Sequence, residues 1–209
     1  MSNRIYQCVA DADFDDVNIT TEGCAPTPGQ AARFAFSHRG GTVSFTGSST
    51  TDIKGSAQWA LEFAKTGVNQ TILAPLHENL DWPVTEALSR EMNNSKRLKA
   101  YRKGNAVTVK GMWPLYSLDD LALVDAFSGY SSPFATNSNL LLYVMTENNM
   151  IWHTKSTYKG IPIWNFIVSD PTPVADDVVM IPFQFDIEYG WSRGLELSQA
   201  TFDVLKLTV

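Results

Sequence analysis

The sequence predicts a mainly β protein of the α+β kind: an antiparallel β-sandwich or partly closed barrel with one to three flanking helices, in a single domain over residues 1–209. Three observations predict it. The stretch Val178 to Trp191 sets Val179, Ile181, Phe183, Phe185, Ile187, Tyr189 and Trp191 in alternation with Met180, Pro182, Gln184, Asp186, Glu188 and Gly190. Strand side chains point to opposite faces with period two, so one face is apolar and the other largely polar and acidic. That is a half-buried strand of an antiparallel sheet. Several shorter apolar runs are bounded by turn residues, and helical patterns are few and confined to the middle of the chain.

Taken in order, Gly23 to Gln30 is a turn-rich loop, since Pro26 and Pro28 cannot donate to a ladder. Ala32–Phe36 and Thr42–Thr46 read as strands joined by a hairpin turn at Gly40-Gly41. Ser56 can cap a helix running to Lys65, with Gly67 suited to the left-handed position after it and Trp59, Ala60, Phe63 and Ala64 on one face. A second helix is expected from Pro83, capped by Asp81, toward Lys99, and a short third after Ser117. Strands resume at Ala106–Met112, Asn139–Met145, Ile151–Thr157 and Ile161–Val168, with tight turns at Asn148-Asn149 and Lys159-Gly160. Asp170 to Asp177 is a turn-rich connection, and Thr201–Val209 reads as a closing strand.

At 209 residues, 44% hydrophobic and 18% charged, the composition is that of a globular chain able to bury a core without staples. The 11% aromatic content supplies large rings for a core or for contacts between subunits. A net charge of -6 and a pI of about 5.0 argue against wrapping nucleic acid, which needs cations in excess. Cys8 and Cys24 read as two reduced thiols. No window of about 18 apolar residues is present, so no membrane span is expected. The first residues lack the pattern of a signal peptide.

Asp11, Asp13, Asp15 and Glu22 occupy calcium-loop positions, but Asp16 stands where the sharp turn needs Gly, and a solvated acidic turn is the reading favoured. His38, His77 and His153 share no metal-ligand spacing, and no serine lies in a nucleophile elbow. No metal, cofactor or catalytic residue is therefore expected. Asp186 and Glu188 project from one strand face, roughly 6 to 7 Å apart, which is near glycosidase spacing; a fixed patch of negative surface is the simpler reading. Lys96, Arg97, Lys99, Arg102 and Lys103 cluster at an expected helix end, where they complement its dipole or meet an acidic neighbour. Pro182 removes one ladder donor, so its strand is expected to be at an edge or bulged. An edge with an aromatic face needs cover, which another copy of the chain could supply.

Two segments resemble parts of the tail tube proteins of contractile-tailed bacteriophages. Val109-Lys110-Gly111-Met112-Trp113-Pro114, followed by Asp119, Asp120 and Asp125, is similar to a strand ending in Lys-Gly-aliphatic-Trp-Pro before an acidic stretch. Phe183 to Trp191 is similar to the aromatic-alternating closing strand of that family. There the two segments lie close in sequence, whereas here about 70 residues separate them. The resemblance implies a barrel or sandwich with a flanking helix, hexameric rings, and an acidic lumen past which DNA slides without sequence-specific contacts.

The expectation is thus a non-enzymatic virion structural protein, made in the host cytoplasm, whose partners are copies of itself and other virion proteins. Its assembly contacts are expected at Phe183, Phe185, Tyr189, Trp191, Lys96, Arg97, Lys99, Asp186 and Glu188. A jelly-roll capsid or minor capsid subunit is the runner-up. A carbohydrate-binding module or glycosidase using the aromatic and acidic strand face is the third reading.

Overall fold

The computed structural model describes residues 30–46, 52–82, 107–114, 140–155, 157–171, 179–188 and 191–207. Among the described residues nine strands form one sheet: β1 (Ala31–His38), β2 (Thr71–Leu76), β3 (Glu78–Asp81), β4 (Val107–Pro114), β5 (Leu140–Thr146), β6 (Met150–Thr154), β7 (Ile161–Val168), β8 (Met180–Ile187) and β9 (Leu195–Gln199). The order is β2-β1-β5-β7-β8-β4-β3, and β6 joins β5 to β9 outside that path. Every strand ladder is antiparallel. The sheet curls without closing, in agreement with a mainly β, α+β fold.

β5 explains the curl. Its sequence, Leu-Leu-Leu-Tyr-Val-Met-Thr, is buried at every position. A strand apolar on both faces must be covered on both. Leu140, Leu142 and Val144 join Phe34 and Phe36 of β1 on one face; Tyr143 and Met145 join Ala35 on the other. The first face meets β8 and β7 folded over it. Phe34 touches Phe183 and Phe185 edge-on at ring-centroid distances of 5.9 and 5.7 Å, although β5 and β7 stand between β1 and β8 in the sheet. Trp113 of β4 stacks on Phe183 at 4.4 Å. The second face is covered by α1 (Ser56–Phe63), by Phe45 and Ile53, and by Ala200, Val204 and Leu207 near the C-terminus. Trp59 anchors this layer: its indole N–H donates to the Ile53 carbonyl at 2.7 Å and its ring meets Tyr143 edge-on.

One edge of β5 pairs with β1 along its length. The other forks: residues 140–142 pair with β7, and Val144 and Met145 pair with β6. The Asn148-Asn149 turn that leads into β6 forms as expected, with Asn149 at φ 59° and its N–H on the Thr146 carbonyl.

Several expectations are corrected. Thr42–Thr46 is not a strand; only Thr46 makes an isolated bridge, to Asp52. The Gly40-Gly41 hairpin fails because side chains capture the backbone donors that a partner strand would use. Thr42 N–H donates to Asn69 Oδ1 and Ser44 N–H to Glu62 Oε1. β2, β3 and β9 were not expected. The helix of residues 56–63 stops short of Lys65, and Gly67, at φ 64°, opens a 3-10 turn (Gly67–Asn69) rather than closing the helix. Its buried face is Gln58, Trp59, Glu62 and Phe63, one residue round from the expected one, because Glu62 turns inward to an ion pair. Residues 201–207 form a bend and the 3-10 turn Val204–Lys206, capped by Asp203, which accepts from the Leu205 N–H. Asp81 lies in β3, and the helices expected from Pro83 and after Ser117 fall outside the described residues, as do Cys8, Cys24 and the acidic loop Asp11 to Glu22.

Candidate functional site

The alternation of β8 places its side chains as read from the sequence: Ile181, Phe183, Phe185 and Ile187 are buried, while Met180, Pro182, Gln184 and Asp186 are half-buried on the opposite face. The strand is shorter than expected, ending at Ile187, and Trp191 sits in a 3-10 turn, Trp191–Gly194. β8 is also not an edge; it lies between β4 and β7. Pro182 is tolerated there for a local reason. Ser169 N–H donates to the Pro182 carbonyl, and the N and C=O of one strand residue point the same way. The missing donor therefore faces past Val168, where β7 ends. The bulge in this ladder lies on β7, between Trp164 and Ile167, with Asn165 at φ 49°.

Phe183 and Phe185, expected at an assembly interface, are thus core residues, 3% and 0% exposed. An interior strand must bury its aromatic face against its own domain. Asp186 is half-buried and bonded through both oxygens. It accepts from Thr108 Oγ1 at 2.6 Å and from Asn165 Nδ2 at 2.6 Å. Glu188 is exposed. Tyr189, Lys96, Arg97 and Lys99 lie outside the described residues.

The outer face of β4, β8 and β7 brings several of these residues together. Met112, Lys110 and Thr108 lie opposite Pro182, Gln184 and Asp186. Trp164 stands opposite Asp186. Met112 and Ile167 are 37% and 44% exposed. At one end of this face a cavity of about 300 Å³ opens where the end of β6, the start of β7, the turn after β8 and the start of β9 meet. Trp164, Trp191, Glu188, Pro162, Thr154 and Leu195 are among the residues that line it. Trp191 N–H donates to the Glu188 carbonyl at 3.1 Å, which ties the backbones of the two residues together. Behind the cavity, Trp191 stacks on Trp152 at 5.7 Å and leans on Trp82 at 5.3 Å. Trp164 was not singled out by sequence reasoning. Its signal is its register opposite Asp186, which depends on a pairing 22 residues away.

Buried and half-buried titratable groups lie elsewhere. Glu62 is fully buried; its carboxylate pairs with Lys65 Nζ at 2.7 Å and accepts from Gln58 Nε2 and Ser44 N–H. His153 Nε2 meets Ser198 Oγ at 2.8 Å and its Nδ1 meets the Thr154 carbonyl at 3.0 Å. That pair shares the Ile151 face of β6 and β9, turned away from the cavity, and works as a satisfied core contact. His77, at the corner between β2 and β3, stacks on Phe34 at 4.5 Å while its Nε2 bonds the Ala31 carbonyl at 2.8 Å. Burial holds its pKa below the ordinary value, against the raising effect of that bond.

Among the described residues no group of three or more His, Cys, Asp or Glu is placed to hold a metal ion. Among them, too, no helix is long and apolar enough to cross a membrane. Compared with models of known families, with curated proteins and with solved structures, the chain matches none.

Proposed function

We propose that this chain is a non-enzymatic structural subunit of a virion, similar in role to the tail tube proteins of contractile-tailed bacteriophages, and that it assembles with copies of itself. The observation that carries the reading is the pairing of β4 with β8. The two segments that resemble the tail tube family, about 70 residues apart in the chain, meet in this ladder, with Val109, Lys110 and Gly111 of the first opposite Phe185, Gln184 and Phe183 of the second. They form one local unit despite their separation.

The assembly surface in this reading is the outer face of β4, β8 and β7 rather than an open edge of β8. Its exposed apolar residues, Met112 and Ile167, supply burial, and its polar residues supply register. Asp186 and Glu188 give part of the face a negative character past which a polyanion can move without adhering.

Sedimentation velocity across a concentration series, followed by negative-stain electron microscopy, tests the proposal. Rings or tubes are expected for the parent chain, and monomers for Met112→Glu with Ile167→Glu. A parent chain that stays monomeric up to its solubility limit overturns the reading.

A further inference from the structure

We propose that the cavity between Trp164, Trp191 and Glu188 binds a small quaternary ammonium cation. The chemistry of its lining carries the argument. Glu188 is exposed, and among the described residues its carboxylate has no hydrogen-bond or ion-pair partner. The Thr154 hydroxyl is already committed, to Thr157 Oγ1 at 2.7 Å and to the Lys159 carbonyl at 2.8 Å. The remaining lining comes from the apolar side chains of Ile161, Pro162 and Leu195 and from the backbone of Gly194. What the cavity offers a ligand is therefore two indoles, aliphatic side chains beside backbone polar groups and, among the described residues, one unpaired carboxylate.

That set discriminates among ligands. An anion meets Glu188 and is repelled. A sugar needs donors and acceptors in number, and here the side-chain donors are the indole N–H groups alone. A primary ammonium is compact and strongly hydrated, and it asks for three acceptors where one carboxylate is free. A quaternary ammonium has no N–H to satisfy, and an indole that turns a face to the cavity attracts it, with one carboxylate to balance its charge. The site is also held ready. Trp191 is braced by Trp152, with the rings only 19° from parallel, and by Trp82, and its backbone is tied to Glu188. Little ordering is left to be done on binding. A cavity of about 300 Å³ leaves ample room for a trimethylammonium head.

The test is calorimetric titration of the full chain with choline chloride, against sodium chloride at equal ionic strength. The neutral isostere, in which carbon replaces the quaternary nitrogen, serves as the control for shape. Saturable binding of choline is expected, with the isostere binding at least about tenfold more weakly. Glu188→Gln and Trp164→Leu change exposed or half-exposed side chains and are each expected to weaken choline by about five- to tenfold, with unchanged thermal melting. Pelleting with phosphatidylcholine vesicles, reversed by choline, assigns the cation to a lipid headgroup; intact choline heat without pelleting assigns it to the free molecule. Absence of a saturable choline signal, equal binding of the isostere, or two folded variants that titrate like the parent overturns the proposal.

Discussion

Gly111 of β4 and Phe183 of β8 face each other across the ladder, and the Phe183 ring occupies the space that a side chain on Gly111 would need. A Cβ built at Gly111 lies 2.5 Å from Phe183 Cζ. The ring lies flat enough there to stack on Trp113 and on Phe185. Gly111 is the vacancy that lets three aromatic rings pack in a row. Gly111→Ala forces the ring out of its place, and overpacking of this kind costs about 1–3 kcal/mol. Urea unfolding measures it. Combining the change with Phe183→Leu is expected to recover part of the loss, because the two substitutions act on one contact. Strict additivity would mean that the ring does not depend on the glycine.

Phe185 and Asp186 are neighbours with opposite surroundings. Phe185→Ala empties a fully buried site between Phe34 and Phe166 and is expected to cost about 3–5 kcal/mol. Asp186→Asn keeps the shape and can keep both contacts, its amide donating to the Thr108 hydroxyl and its oxygen accepting from Asn165, but both bonds lose the help of the carboxylate charge. A loss of about 1 kcal/mol is expected, reduced by the partial exposure of the site. A loss at Asp186 equal to that at Phe185 would show that the outer face is as deeply covered as the inner one.

Lys65 is the only cation paired with the buried Glu62 among the described residues. Removing it by Lys65→Met leaves a charge stranded in the interior. The cost is expected near about 3 kcal/mol, the low end for a broken buried pair, because Lys65 keeps some contact with water. The double change Glu62→Gln with Lys65→Met is expected to recover most of it. Denaturation of all three variants decides whether the pair works as a unit.

His77 makes stability depend on pH in a definite direction. Its native pKa is lowered by burial, so between that value and the unfolded one, near about 6.5, the unfolded chain binds more protons. Stability is full above the unfolded pKa and falls as the pH drops through the window toward the native value. His77→Gln is expected to flatten this part of the profile. Denaturation midpoints of parent and variant, measured from neutral pH downward, give the difference. Parallel profiles would exclude His77 as the source.

How far the sequence showed all this varies by element. β5 and β8 were legible because burial repeats along them with period two or at every residue, a pattern local enough to read. β2 and β3 were not, since Pro75 and the left-handed Asn79 interrupt them. Thr42–Thr46 misled because its strand-like pattern says nothing of Asn69 and Glu62 waiting to bind its amides. The inward turn of Glu62 was hidden for the same reason: a charge reads as surface until its partners are placed. In the cavity, Glu188 and Trp191 could be picked out as acidic and aromatic residues of one stretch. Trp164 could not, because its place beside them depends on a register between distant strands.

The fork in β5 has a consequence for how the molecule opens. The arm formed by β6 and β9 is held to β5 by a short ladder at Val144 and Met145, while β1, β5, β7 and β8 interlock through the larger core. A unit joined by so few ladder bonds, even with Ile151 and Trp152 packed into the two cores, is expected to open at lower free energy than the whole. Amide hydrogen exchange should therefore separate into two classes, with β6 and β9 exchanging through partial opening and β1, β5 and β8 only through global unfolding. The cavity sits on the seam, since Thr154 and Leu195 belong to the arm and Pro162 and Trp164 to the main sheet. Whatever fills it bridges the two units and slows exchange in the arm most, which turns the arm's amides into a reporter of occupancy.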